Sequence, residues 1–281
     1  MLTAGTEALL AMAPIPALRS RLRAQAPSAG FDPSRPIRLS RSPGRLDVMG
    51  GIADYTGSMV CQLTLDRAAG IALQERADRT VCIVRFDPLD EGNAPEFQIT
   101  LDAIASHTAQ TLRRVFDVTD QCAARIVGCI FVLHDQRFIN LIDPAMKGFT
   151  IALCSTVPAG VGVASSAAIE VATMMNLRDH FALMRPYAGR SLRIANLSAM
   201  NPIMLAELCQ TAENKIAGIP CGVVNQMTSC WGERGMLLRM MCQPHELLPP
   251  LAIPPGVRFV GINSGVKRDV AGAAYVRTRC A

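Results

Sequence analysis

The first chemical signal is a turn of small residues that opens a helix. In TVPAGVGVASSAAIEVA, residues 156 to 172, an apolar strand runs through Pro158, Gly160 and Gly162 into Ser165, Ser166 and a helical pattern. Glycines let backbone N–H groups close on an anion, a helix N-terminus offers unpaired donors and the positive end of its dipole, and a serine hydroxyl there can reach a magnesium ion. The Lys-Ser/Thr of a P-loop is absent, and GVGVAS is half of a dinucleotide fingerprint. The same residues would equally suit close packing of a helix on a sheet, so the stretch alone leaves both uses open.

Two further stretches carry polar side chains in settings that favour a pocket. SPGRLDVMGGIADYTGSMV, residues 42 to 60, places Arg45, Asp54 and Tyr55 in a Gly-rich segment expected between two strands. AENKIAGIPCGVVNQMTS, residues 212 to 229, ends a helix carrying Glu213 at Gly218, and a turn then brings back Gly222, Asn225 and Gln226. Either one alone reads as an exposed polar loop.

The elements that would position these groups follow from periodicity and caps. IRLSR, MVCQLTL, AAGIALQE, RTVCIVRF and PEFQITL, between Ile37 and Leu101, read as separate strands of an antiparallel or mixed sheet. Asp120 precedes QCAARIVGCIFVLHDQ, a helix with too many apolar positions for one stripe and so buried on most sides. GFTIALCSTV is a strand leading into the small-residue turn. NPIMLAELCQTAENKIAG is a helix with Asn201 as N-cap, Pro202 at its first position and Gly218 as its stop. WGERGMLLRMM and GVRFVGINSG read as strands flanking a Pro-rich connection, CQPHELLPPLAIPPG, in a second domain beginning near residue 229.

Composition narrows the class. In a chain of 281 residues that is 50% apolar, a sizeable core can form. No run approaches the roughly 18 apolar residues of a membrane span. Near the N-terminus Arg19, Arg21 and Arg23 follow the apolar part instead of preceding it, the wrong order for a secretory leader, so a leading amphipathic helix or tail is expected. The ten cysteines form no C-x-x-C pair and sit in apolar stretches, as reduced core residues of a cytoplasmic protein would. Four scattered histidines give no zinc spacing. The net charge of +5 would suit an anionic substrate but is spread along the chain, with no basic block for nucleic acid.

Taken together and in order, SPGRLDVMGGIADYTGS, VPAGVGVASSAA, AENKIAGIPCGVVNQ and NSGVKRDVAGAAYVRTRC resemble the motifs of the GHMP kinase superfamily, over residues 37 to 281. Within it the resemblance runs to the galactokinase-like branch and its arabinokinases. The resemblance implies an α+β, two-domain GHMP kinase fold: a tail or helix over 1–36, a ribosomal protein S5 domain 2-like ATP- and sugar-binding domain over 37–228, and an incomplete ferredoxin-like C-terminal domain over 229–281. It implies ATP with its phosphates on Pro158, Gly160, Gly162, Val163, Ala164, Ser165, Ser166 and Ala167, and a magnesium ion shared by Ser166 and Glu213. Arg45 would stabilise the transferred phosphoryl group, and Gly51, Asp54, Tyr55, Gly222 and Tyr275 would orient a sugar phosphorylated at its anomeric hydroxyl. The partners implied are that sugar and ATP, with no nucleic acid and no membrane.

Departures from the family pattern sharpen these expectations. The galactokinase signature runs Gly-Glu-His-Thr-Asp-Tyr, and its Glu, His and Thr are matched here by Gly51, Ile52 and Ala53. Polar contacts to the C6 hydroxyl are then missing, which favours L-arabinose over galactose, the alternative substrate. Asn225 stands where the family's sugar kinases place a catalytic Asp, and an amide cannot serve as a base at neutral pH. Ala164 replaces a frequent Ser. The chain ends before the family's third, Gly-rich motif, as a piece of a longer protein or a decayed copy would. Impaired catalysis is therefore one expectation, and an inactive sugar- and ATP-binding sensor the other.

Overall fold

A computed structural model of the chain describes residues 13–25, 29–51, 53–87, 96–183 and 200–265. Its frame is one sheet in the order β4-β3-β5-β2-β6-β7, with β1 added on β2. The spine is β2 (Met59–Glu75), which pairs along one edge with β1 (Arg38–Met49). Its other edge takes β5 (Phe149–Ser155) over residues 69–75 and β6 (Met236–Met241) over residues 59–63. β3 (Thr80–Phe86) runs parallel to β5 and antiparallel to β4 (Glu96–Thr100).

Side-chain alternation assigns the two faces. Ile71 and Leu73 of β2, Val81 and Ile83 of β3, and Phe149, Ile151 and Leu153 of β5 enter one core. The intervening Ala72, Cys82, Val84, Ala152 and Cys154 enter another. Helix α1 (Ile15–Gln25) covers the second face through Leu18 and Leu22. On the first face lie the short α2 (Leu101–Ser106) and α3 (Ala109–Arg113), then α4 (Gln121–Asp135), α5 (Ser165–His180) and α6 (Pro202–Ala212). Helix α4 is buried nearly all round, as its unstriped sequence requires, but the Asp120 side chain accepts no N–H from its first turn.

Several expected boundaries move. MVCQLTL and AAGIALQE form one continuous strand, because Asp66 and Arg67 lie at exposed positions where the ladder passes without a turn. SPGRLDVM belongs to β1 instead of a loop, with irregular register between Pro43 and Arg45 and between Asp47 and Met49. Arg45 is thus held on a strand. The Pro-rich connection contains β7 (Glu246–Ala252), which among the described residues pairs with β6 alone; Pro249 and Pro250 fall in the register shift of that ladder, between the Arg239–Leu248 and Leu237–Leu251 pairs, where no ladder N–H is needed. GVRFVGINSG is not a strand: residues 257–265 make no ladder among the described residues, and Val260 and Ile262 are 77% and 89% exposed. The span assigned by sequence to a second domain from residue 229 continues the same sheet through β2 and β6.

Candidate active site

Between β5 and α5 the backbone turns through Gly160 (φ 76°) and Gly162 (φ 80°), and Ala164 (φ 59°) enters the helix in the left-handed region. Ala164 supplies no side-chain cap, so the first N–H groups of α5 point away from the helix without a side-chain partner from the N-cap. The turn fits its place because of Gly44 in β1. A Cβ there would meet the Val163 carbonyl and the Val157 side chain, each at 2.8 Å.

Arg45, 7% exposed, fastens this turn to the segment after α6. Its backbone N–H donates to the Val163 carbonyl (3.0 Å) and its Nη1 to the Gly162 carbonyl (2.6 Å). Its Nε and Nη2 donate to Asn225 Oδ1 at 3.0 and 2.6 Å. Asn225 lies in α7 (Val224–Trp231).

Glu213 begins a π-helical turn (Glu213–Ala217) that continues α6 and stops at Gly218 (φ 72°). Its carboxylate is 2% exposed and accepts from Gln226 Nε2 (2.7 Å) and Cys221 Sγ (3.2 Å) on Oε2. The same Gln226 amide donates to Oε2 of Glu170 (3.0 Å), a fully buried carboxyl on α5. Burial first, and the nearby Glu213 second, push the Glu170 carboxyl well above the usual glutamate range. Arg125 Nε stands 3.9 Å from Glu170 Oε1, beyond hydrogen-bond reach.

These groups face a cavity of about 1010 Å³ lined by Arg45, Gly160, Gly162, Ser166, Glu213 and Asn225. Val163, Ala164 and Ser165 also line it, whereas Ala167 is buried in the first turn of α5 and Pro158 is exposed and not part of the lining. Among the described residues no side chain hydrogen-bonds the hydroxyl of Ser165 or Ser166. A serine hydroxyl and one carboxylate on a shared cavity suit Mg²⁺, which binds through one or two protein oxygens and completes its shell with phosphates and water.

A second cavity, of about 230 Å³, is lined by Asp54 and Gly222. The two share a wall: Cys221 and Asn225 face the larger, and Gly222, Val223 and Val224 the smaller. Gly51 is exposed with φ 46°, Asp54 lies on a short 3₁₀ turn (Ala53–Thr56), and Tyr275, like the side chain of Tyr55, falls outside the described residues.

Sequence reasoning missed Glu170, Gln226 as a bridge, and three cations, Arg85, Arg113 and Arg125, on the larger cavity. Glu170 was findable, since four residues after Ser166 it shares a helical face with it. The arginines come from β3, α3 and α4, and only the fold unites them.

Residues 125–233 match the family described as GHMP kinases N terminal domain. The chain is 35% identical to L-arabinokinase from Arabidopsis thaliana, an alignment covering 89% of this chain and 25% of the relative. It is 31% identical to galactokinase from Chloroflexus aggregans, covering 87% of this chain and 53% of that protein. It thus spans about half the length of the galactokinase and a quarter of the arabinokinase. The crystal structure of Lactococcus lactis galactokinase complexed with galactose superposes with TM-score 0.63 at 18% identity, over 84% of this chain and 52% of that one. The crystal structure of Methanococcus jannaschii mevalonate kinase gives 0.55 at 17%, over 77% and 57%. Both share this fold. No described helix is long and apolar enough to cross a membrane.

Proposed function

From the premise that the chain carries the N-terminal domain of the GHMP kinases and is homologous to L-arabinokinase and galactokinase, we propose that it is the nucleotide- and acceptor-binding part of an ATP-dependent sugar 1-kinase whose substrate is L-arabinose. The observation that carries this reading is Arg45, whose guanidinium ties the small-residue turn to Asn225 on the cavity shared with Ser166 and Glu213.

In this reading the N–H groups of residues 160–167 hold the ATP phosphates, and Arg85, Arg113 and Arg125 add positive charge around them. Ser166 and Glu213 would hold Mg²⁺, which when bound neutralises charge on the phosphates. Gln226, by occupying Glu213 Oε2, fixes how that carboxylate is presented. Arg45 stabilises charge on the transferring phosphoryl group, Asp54 accepts from sugar hydroxyls in the adjoining cavity that Gly222 also lines, and Tyr275, outside the described residues, is assigned to the sugar by its motif alone. Such chemistry is positioning plus electrostatics.

Asn225 favours a second reading, a binding protein with little turnover. Its Oδ1 is committed to Arg45 and it has no basic oxygen to take the hydroxyl proton. One experiment separates the readings: incubate the chain with MgATP and L-arabinose, D-galactose or D-glucuronate, and measure sugar phosphate together with binding heats. Arabinose 1-phosphate formation supports the kinase; clear binding of sugar and nucleotide without product supports the sensor. Product from galactose and none from arabinose overturns the choice of sugar.

A further inference from the structure

The smaller cavity contains side chains that neither the sequence motifs nor the reading above assigns: Gln210 on α6, and Gln243 and His245 on the turn between β6 and β7. We propose that Gln243 and His245 are specificity-determining residues that select a neutral polyhydroxylated acceptor, an inference that rests on the sugar kinase reading.

The turn is tied on two sides. The Cys242 N–H donates to the Ser58 carbonyl (3.2 Å), beside the 3₁₀ turn that carries Asp54. The Gln243 side chain lies against Gly57, where a Cβ would stand 3.2 Å from its Cβ and 3.3 Å from its Oε1. Gly57 has φ 78°, so the backbone itself keeps a side chain out of that space. On the other side His245 Nδ1 pairs with Glu207 Oε1 of α6 at 3.1 Å, and Gln210 of the same helix donates to the Cys221 carbonyl at 3.0 Å. The Gln243 amide makes no hydrogen bond to a described residue.

The chemistry of this lining indicates its ligand. The Gln243 amide both donates and accepts, which matches sugar hydroxyls that do the same; His245, with Nδ1 held by Glu207, keeps Nε2 for a ligand, and Asp54 adds an acceptor. No arginine or lysine lines the cavity among the described residues, whereas Arg45, Arg85, Arg113 and Arg125 all line the larger one. A carboxylate or phosphate on the acceptor would meet the like charge of Asp54 and be disfavoured. Gly51 and Ala53 present no polar side chain on the signature side, so recognition of the outer hydroxyls falls to the β6–β7 turn.

Titration calorimetry of the whole chain with a non-hydrolysable ATP analogue, and then with L-arabinose, D-galactose or D-glucuronate, tests this without requiring turnover. Gln243→Leu keeps the side chain's bulk at an exposed position, and His245→Asn suits a residue at φ 68°. Each is expected to weaken neutral-sugar binding about tenfold, the usual scale for a lost hydrogen bond in a site, while nucleotide affinity, which also reports folding, holds. Wild type should bind glucuronate more weakly than either neutral sugar. Unchanged sugar affinity in both variants, or tighter glucuronate binding, overturns the inference and leaves the kinase reading standing. Wild type that binds the nucleotide but no sugar overturns both the inference and the sugar reading; failure to bind the nucleotide overturns the kinase reading itself.

Discussion

The two cavities flanking residues 221–225 are built in opposite ways. The larger, the proposed phosphate site, is built on backbone close together in sequence, a helix N-terminus and two positive-φ glycines, and adds side chains for charge. The smaller takes its polar side chains, among the described residues, from three separate segments, the 3₁₀ turn, α6 and the β6–β7 turn. Backbone recognition suits a ligand part common to many substrates, because any sequence supplies N–H groups once the turn is formed. Side-chain recognition suits the part that varies, since each residue can change without disturbing the fold. One wall joins them, and Asn225 sits in it against Arg45.

The sharpest way to break that comparison is to restore the missing acid. Asn225→Asp keeps the geometry in which Arg45 Nε and Nη2 converge on one side-chain oxygen, and adds a charge and a proton acceptor. The expected result is a rise in sugar phosphorylation of about 10²- to 10⁴-fold, the scale of general-base catalysis, measured as product per mole of protein under saturating MgATP. Nucleotide affinity should change little, because the phosphate cradle is backbone. Equal rates in the variant and wild type would mean that the shared wall is not where transfer occurs.

The same contrast explains what the sequence disclosed. The small-residue turn, the Asn201 cap, the Gly218 stop and the buried character of α4 are local consequences of residue type, and all were legible. Arg45, Ser166, Glu213 and Asn225, each from a motif with a recognisable neighbourhood, line one cavity, whereas Asp54 from the first of those motifs lines the other. The continuity of β2 through Asp66 and Arg67 was hidden, because polar residues at exposed ladder positions look like a turn. β7 was hidden by its prolines, which sit where the ladder with β6 slips register and leaves them unpaired. The second cavity was least legible: nothing in QPH points to Asp54, and only the β2–β6 pairing brings them together.

Gly44 offers a test of the backbone-built half with a smaller expected effect. Gly44→Ala forces a methyl to within 2.8 Å of the Val163 carbonyl, a backbone atom of the phosphate turn. Such overpacking costs about 1–3 kcal/mol. We expect a lower melting temperature and weaker ATP binding in the same variant, followed by thermal unfolding with and without nucleotide. If stability falls and ATP affinity does not, the turn can shift without loss and the cradle is less exacting than its geometry implies.

The smallest expected effect concerns Glu170, behind the wall, and it changes a slope more than a level. Burial and the Glu213 carboxylate raise its pKa in the fold above the ordinary 4.5. The folded chain therefore keeps a proton that the unfolded chain gives up as pH rises past that value. The stability tied to this proton is fully present below about the ordinary value and is lost as pH climbs toward the raised one. Arg125 opposes the shift, but at 3.9 Å and without a hydrogen bond it does not cancel burial. Glu170→Gln preserves shape and cannot titrate, so in metal-free buffer the wild type should lose stability relative to the variant as pH rises above the ordinary 4.5, as read from denaturant unfolding at each pH. Parallel curves would mean that the carboxyl is ionised in the fold and that Arg125 with the Gln226 amide suffices to hold two negative charges behind the phosphate cavity.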